Sequence, residues 1–468
     1  MIFSKYKNFT FYFVVLIFIL TSCSTKKEIQ NINGTWIQEG YGRIISISDS
    51  TYTYFNTTEN SCLPLIENGI LTDRFRIVNV QKDKLVLNPG GIVDYNFHRI
   101  DRLPENCKNT DSKLNHSAQT NFKVLWSTFE KQYAFFNQRN INWIEIKKQY
   151  QPKIDKIKTD RELYKLFNEI LGLFNDGHIK LDVPDSLVIK SISKKYTQKK
   201  KSKKDITTDI ISSYLSNSKN YNNGVIQWGI VKNSDIGYIQ INDMNNFSNY
   251  VTNTELSPDK FEKEYNKVLQ NKTGIEQLDD ELKGVEYIMP IILNGLTKTK
   301  TVIVDLRFNG GGYETVALKL LSYFINEPKH ILSVKAKKYN GYTREQKYVL
   351  EPSENRYKGK LIVLTSHGTA SAAEIFALGT LAYPEIKRFG SSTNGIFSEI
   401  LWKNLPNGWE FSLSNEVYSD PNGNVYEITG IPVNNKINYS KDLIEFYNSF
   451  YNDRNFEDSA IEKVKLMK

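Results

Sequence analysis

Apolar and polar positions change rhythm along this chain, and each change marks the edge of a unit. From Asn33 to about Arg102, short runs rich in Ile, Val, Tyr and Phe dominate, among them Arg43–Ile47, Thr51–Phe55, Phe75–Val80, Lys84–Leu87 and Val93–Phe97. Turn residues such as Asn88-Pro89-Gly90-Gly91 separate them, so the pattern predicts a small β barrel or sandwich over 33–103. No catalytic constellation falls there, and a spacer and a binding module are both open. After a polar linker from Pro104 to Ser117, residues Phe122, Leu125, Trp126, Phe129 and Tyr133 recur at helical spacing, which predicts an amphipathic helix over 119–137. Thr159-Asp160-Arg161-Glu162 has the capping-box pattern, and Leu163, Leu166, Phe167, Ile170, Leu171 and Phe174 carry a second helix to Asp176-Gly177, where glycine stops it. His178 then stands just past a helix end. These helices form a helical subdomain over 118–185.

Between Lys190 and Lys204 the chain has eight lysines and one aromatic, Tyr196. A solvated lysine-rich loop region over 186–223 fits this better than a nucleic-acid patch, which would want more arginine and aromatics. Structured patterns resume at Gly224–Trp228 and Ile236–Ile241, both strand-like, followed by helical patterns through 253–297. Thr301–Asp305 is an apolar strand leading into Gly310-Gly311-Gly312 and a helical run to Ile325; Leu361–Leu364 leads in the same way into Ser366–Ala377; Glu385–Gly390 reads as a third strand. Repeated strand–turn–helix units of this kind predict an α/β core over 224–440, with a helical tail over 441–468.

Length and composition add little to this picture: 468 residues allow about three domains, and 40% hydrophobic with 24% charged residues is ordinary for a soluble globular protein. The N-terminus adds more. Lys5 and Lys7 precede an apolar run, Phe11–Leu20, too short to span a bilayer but fitting a secretory signal over 1–22. Leu20-Thr21-Ser22-Cys23 resembles a bacterial lipobox, so Cys23 is expected to carry lipid at the head of a tether over 23–32; a plain signal peptide is the alternative. Removing Lys5 and Lys7 takes the net charge from +9 to +7, spread too thinly to argue for nucleic acid. Export places Cys62 and Cys107 in an oxidising compartment, where a disulfide between them and a pair of free thiols are both open. Two cysteines with no histidine at ligand spacing do not make a zinc site.

The chemistry concentrates at Ser366-His367-Gly368-Thr369-Ala370-Ser371-Ala372-Ala373-Glu374. A serine at a strand-to-helix turn has its backbone fixed, its hydroxyl exposed and unpaired helix N–H groups beside it for a developing oxyanion. An ordinary N-cap is the bland reading. At Gly310–Gly312 the glycines let backbone N–H groups face the crevice at the strand end, and no Lys-Ser or Lys-Thr closes them as a phosphate loop would require.

Taken in order, Asn175-Asp176-Gly177-His178, Asp305-Leu306-Arg307-Phe308-Asn309-Gly310-Gly311-Gly312 and Thr369-Ala370-Ser371-Ala372-Ala373-Glu374 resemble the tail-specific (C-terminal processing) and tricorn-core serine peptidases, a family that includes the interphotoreceptor retinoid-binding modules. Agreement continues in Phe389–Gly395 and Gly423–Pro432, so the resemblance covers about 118–440. It implies an α/β, crotonase-like (ClpP-like) catalytic domain behind a helical subdomain, hydrolysis of peptide bonds in exported or unfolded polypeptides, and no cofactor or metal. Ser371 falls on the nucleophile position. Where the processing branch has its base lysine this chain has Ile396, whereas the tricorn-like branch uses a histidine and a glutamate, matched by His178 and Glu427. That pairing is chemically coherent, since a serine needs a base of near-neutral pKa and an imidazole needs an acceptor to fix its tautomer. Gly177 stands where the tricorn tetrad has a serine.

His367, close to Ser371, is the rival base. The N–H groups of Ala372 and of Gly311 or Gly312 are the expected oxyanion donors, Asp305 with Arg307 a structural ion pair, and Glu374 a brace for its helix. No PDZ module fits between Leu181 and about Val225. The expected partners are a peptide or unfolded protein and, through the N-terminal lipid, a membrane, with the protein facing the periplasm or cell surface; nucleic acid is not expected. A non-catalytic protein binding peptides or apolar ligands on the same fold is the second reading.

Overall fold

The computed structural model describes residues 32–59, 61–107, 116–188, 201–252, 256–452 and 455–467. The expected signal segment, Cys23, nearly all of its tether and most of the lysine run lie outside the described residues.

The N-terminal pattern builds one seven-stranded antiparallel sheet, neither a sandwich nor a closed barrel: its edge strands, Ser61–Ile70 and Arg76–Val80, do not pair with each other. Alternating side chains put Trp36, Ile45, Ile47, Tyr52, Tyr54, Leu85, Leu87 and Phe97 on one buried face, closed by Leu71 and Phe75. Cys62 and Cys107 are joined by a disulfide, with Cα atoms 4.8 Å apart.

The helix expected over 119–137 runs from Ala118 to Gln132, capped by the Ser117 hydroxyl. It stops early because Tyr133 turns to extended backbone and sends its hydroxyl to Asp176. The Thr159 capping box starts the helix Asp160–Gly172. The loop expected over 186–223 is corrected: it contains the helix Lys203–Tyr214, started by Ser202 and Asp205, and the strand Leu215–Tyr221. Beneath the lysines, Ile206, Ile210 and Tyr214 keep helical spacing and are buried.

In the core, a second seven-stranded sheet has the spatial order Asn435–Lys436, Lys387–Gly390, Lys360–Thr365, Thr301–Asp305, Ile236–Ile241, Ile226–Val231, Leu215–Tyr221. The first five strands are parallel and the last two antiparallel. Helices Gly274–Gly295, Glu314–Ser322 and Ala372–Gly379 cover one face. Lys203–Tyr214 and the short tail helices Leu443–Asn448 and Ser459–Lys465 cover the other. Burial on both faces explains the continuous apolar runs in these strands. The expected Asp305–Arg307 pair is present and fully buried, with Asp458 of the tail as its third member. Because the strands are parallel, the loops after Asp305, Thr365 and Gly390 emerge at one end of the sheet, where open α/β sheets place their sites.

Candidate active site

Ser371 opens the helix Ala372–Gly379 at φ 54° and ψ −126°, a conformation that L residues rarely adopt. Its N–H donates to the Ile396 carbonyl at 3.1 Å and, at 3.3 Å, to Oε2 of Glu374. The triple-glycine turn lies against it: a Cβ on Gly311, which sits at φ 113°, would come within 2.7 Å of Ser371 Cβ and 3.1 Å of the Ala372 nitrogen. Only glycine allows that approach. The Gly311 N–H, however, donates to Oδ1 of Asn309 at 2.9 Å and is already committed. Among the described residues, the N–H groups of Gly312 and Ala372 have no such partner. Gly312 is also held at positive φ, 135°, and is stitched to Met244 by a bridge that uses its neighbours' N–H and C=O groups instead of its own N–H.

Residues 395–397, the stretch that carries Ile396 where a base lysine was excluded, form a bracket. Glu374 is wholly buried and accepts the N–H groups of Gly395 at 2.7 Å and Ile396 at 2.8 Å; burial pushes its carboxyl up to about 7. The expected helix brace thus also braces this loop. Gly395 O accepts from Ile428 N–H at 2.8 Å, and the Phe397 N–H donates to Glu427 Oε2 at 2.9 Å. Ile428 has φ 74°, a strained value for a β-branched residue. One loop therefore fixes the backbone of Ser371 and the carboxyl of Glu427.

A small sheet brings in His178. Leu181 and Asp182 pair with Phe411 and Glu410, the Ser412 hydroxyl donates to the His178 carbonyl at 2.7 Å, and Ser412 N–H donates to Lys180 O. His178 is only 8% exposed. Gly177 meets the bracket directly, since a Cβ there would lie 2.6 Å from Ile396 Cδ1. Burial holds the imidazole below its ordinary range, against the opposing pull of Asp176 and of the Ser398 carbonyl. Its Nδ1 is buried without a partner, and among the described residues no hydrogen bond joins it to Ser371 or Glu427.

Glu427 instead engages Arg139, whose Nη2 donates to Oε1 at 3.1 Å while its Nε lies 3.6 Å from Asp176 Oδ2. Asp176 also accepts from Tyr133 OH at 2.9 Å, Ser414 OH at 3.2 Å and the His178 N–H at 3.0 Å. Burial pushes the Glu427 carboxyl up to about 8, while the Phe397 N–H and Arg139 hold back part of the rise. The carboxyl that faces His178 is therefore Asp176, linked through Arg139 to Glu427. Sequence reasoning missed Arg139 and the role of Tyr133: Tyr133 was read as part of an apolar helix face, and Arg139 follows the end of that helix in a polar stretch. His367 is half-buried, its imidazole beside Lys441 and the Thr393 backbone and its carbonyl accepting from the Asn394 side chain. No group of three or more His, Cys, Asp or Glu that could hold a metal occurs among the described residues.

Residues 235–437 match the peptidase family S41, and residues 115–172 match the tricorn protease C1 domain. The tail-specific protease of Haemophilus influenzae is 35% identical over 98 residues, which are 21% of this chain and 13% of that protein. The carboxy-terminal processing protease CtpA of Bacillus subtilis is 31% identical over 134 residues, 28% of each chain. The matched stretches thus span well under a third of either relative. Among solved structures, a Parabacteroides merdae protein assigned as a peptidase superposes with a TM-score of 0.55 at 19% identity, over 75% of this chain and 96% of that one, a likeness of fold.

Proposed function

From the premise that this chain belongs, through residues 235–437, to peptidase family S41, we propose that it is a serine peptidase that hydrolyses peptide bonds of exported or unfolded polypeptides with Ser371 as nucleophile. The observation that carries this reading is the backbone of Ser371. An ordinary N-cap lies in the extended region, whereas Ser371 is held at φ 54° beside the uncommitted Ala372 N–H. Such strain costs about 1–3 kcal/mol and persists where the surroundings over-determine it, as the Ile396 carbonyl and Glu374 do here.

Ser371 Oγ attacks the scissile carbonyl and gives its proton to His178, which burial keeps neutral and so free to accept it. The carbonyl oxygen becomes an oxyanion facing the N–H groups of Ala372 and Gly312; loss of one such donor typically costs about 10²–10³ in rate. His178 then protonates the departing amine, and water repeats the cycle on the acyl-enzyme. Closure of the gap between Ser371 and His178 belongs to the substrate complex, since catalytic hydrogen bonds commonly tighten only there. Glu427 acts on His178 through Arg139 and Asp176. Export and a lipid at Cys23, with the enzyme at a membrane facing the periplasm or cell surface, complete the proposal; no helix among the described residues is long and apolar enough to cross a membrane.

Ser371→Ala should abolish hydrolysis of an unfolded protein substrate, while chelators leave the wild type active. Equal hydrolysis by the variant would sink the assignment. A second reading, non-catalytic binding of peptides or apolar ligands, is favoured by one observation: His178 Nδ1 has no partner while Glu427 is committed to Arg139. Under that reading Ser371 stays inert to fluorophosphonates.

A further inference from the structure

The N-terminal sheet does not stand apart from the core. Between them lies a cleft of about 590 Å³, walled by Arg43, Leu65 and Tyr95 on the sheet side and by Gly312, Glu314 and Glu399 on the other. Its size suits a bound ligand group. Gly312 is one of the two uncommitted donors at the serine turn and also lines this cleft, which therefore adjoins the place where a peptide carbonyl would dock. We infer that the cleft is a substrate side-chain subsite, and that Glu399 makes it select a basic residue, lysine or arginine.

The charges in the cleft differ in how far they are already answered. Glu314 accepts from the Ile92 N–H at 2.8 Å and Tyr418 OH at 3.0 Å. Glu416 accepts from the hydroxyls of Tyr41 and Tyr418. Arg43 is spent on Asn56 Oδ1 at 3.4 Å and the Trp402 carbonyl at 3.1 Å, and Arg74 lies at the exposed rim. Glu399 stands apart: it is exposed and lines the cleft, its carboxyl accepts only the Ile400 backbone N–H, and among the described residues it pairs with no other side chain. Protein crowds it all the same, and that desolvation, with Glu416 behind it, pushes its carboxyl up to about 7. A cationic side chain entering the cleft would draw that carboxyl to its ionised form and supply its missing partner. The N-terminal sheet, which its sequence left without an assigned role, thereby becomes a wall of the substrate site.

This inference rests on the peptidase reading, and binding separates the two. Fluorescently labelled peptides carrying lysine or its uncharged isostere norleucine at successive positions are titrated onto the Ser371→Ala variant, with and without Glu399→Gln. At one position the lysine peptide should bind about tenfold more tightly, and Glu399→Gln should bring the ratio to near one while the norleucine affinity changes less than about threefold. No lysine preference at any position would overturn the inference, as would one that survives Glu399→Gln or an affinity set by the free C-terminal carboxylate. Because Ser371→Ala is inert by design, these outcomes do not depend on turnover; hydrolysis of the norleucine peptide by the wild type reports separately on the peptidase reading.

Discussion

Arg139 is the cation between two buried carboxyls, and its replacement by methionine isolates what that bridge contributes. The Arg139 side chain is 7% exposed, Asp176 0% and Glu427 1%, so solvent screens this group little. It also donates to the carbonyls of Phe174 at 3.3 Å and Asn175 at 2.6 Å, holding the chain that leads to His178. Removing one partner of such a buried pair costs about 3–5 kcal/mol when the other stays charged. The pH dependence sharpens the expectation. Glu427 has its folded pKa raised to about 8, above its unfolded value, so it contributes stability that is full below about pH 4.5 and declines as pH rises toward 8. Arg139 lowers that pKa in the wild type, so in the variant it moves higher still. Below about pH 8 both proteins then hold the proton, and the difference reflects lost hydrogen bonds, about 1–3 kcal/mol. Above it, the wild type has released the proton and the variant has not, and the gap widens by up to about 1.4 kcal/mol per pH unit. Urea unfolding of both proteins at about pH 6 and about pH 9 measures this, and adding Glu427→Gln to the variant should remove the widening. A gap below about 0.5 kcal/mol at both pH values, or one that narrows as pH rises, would refute the electrostatic link between Asp176, Arg139 and Glu427.

Ser371→Gly should raise stability by about 1 kcal/mol, because glycine adopts φ 54° without strain, and should abolish hydrolysis; a destabilised variant in a thermal melt would show that the serine is not strained. Gly177→Ala should cost about 1 kcal/mol through its 2.6 Å approach to Ile396 Cδ1, and Ile396→Val, which lacks that methyl, should recover most of it in the same unfolding assay. Reducing the bridge between Cys62 and Cys107, 45 residues apart, should cost about 2–4 kcal/mol, with the loss absent in a Cys62→Ser/Cys107→Ser variant treated with reductant.

The core was legible because its strands are apolar throughout and its turns carry the chemistry: Thr301–Asp305 and Leu361–Leu364 announce buried parallel strands, and the glycine and serine turns sit where such strands end. The expectation that Ser371, Ala372 and Gly312 form the site came from local pattern and family position together. Gly311 was not separable from Gly312, since the Asn309 side chain that occupies its N–H leaves no trace in spacing. The helix Lys203–Tyr214 was missed because charged and polar residues dominate it and the lysine run leading into it masks the helical spacing of its few buried residues. Arg139 meets Glu427 across 288 positions of chain and joins it to Asp176, and long-range electrostatic pairing has no periodic signature. Glu427 was expected from family position; its partner Arg139 needed coordinates.

The central claim, an activated Ser371, is tested most directly by incubating the full chain with a fluorophosphonate and mapping the adduct by peptide mass spectrometry. The account predicts a single adduct on Ser371 that forms readily in the wild type and is lost, or formed at least about tenfold more slowly, in His178→Asn. An unlabelled Ser371, or labelling that His178→Asn leaves unchanged, would contradict it.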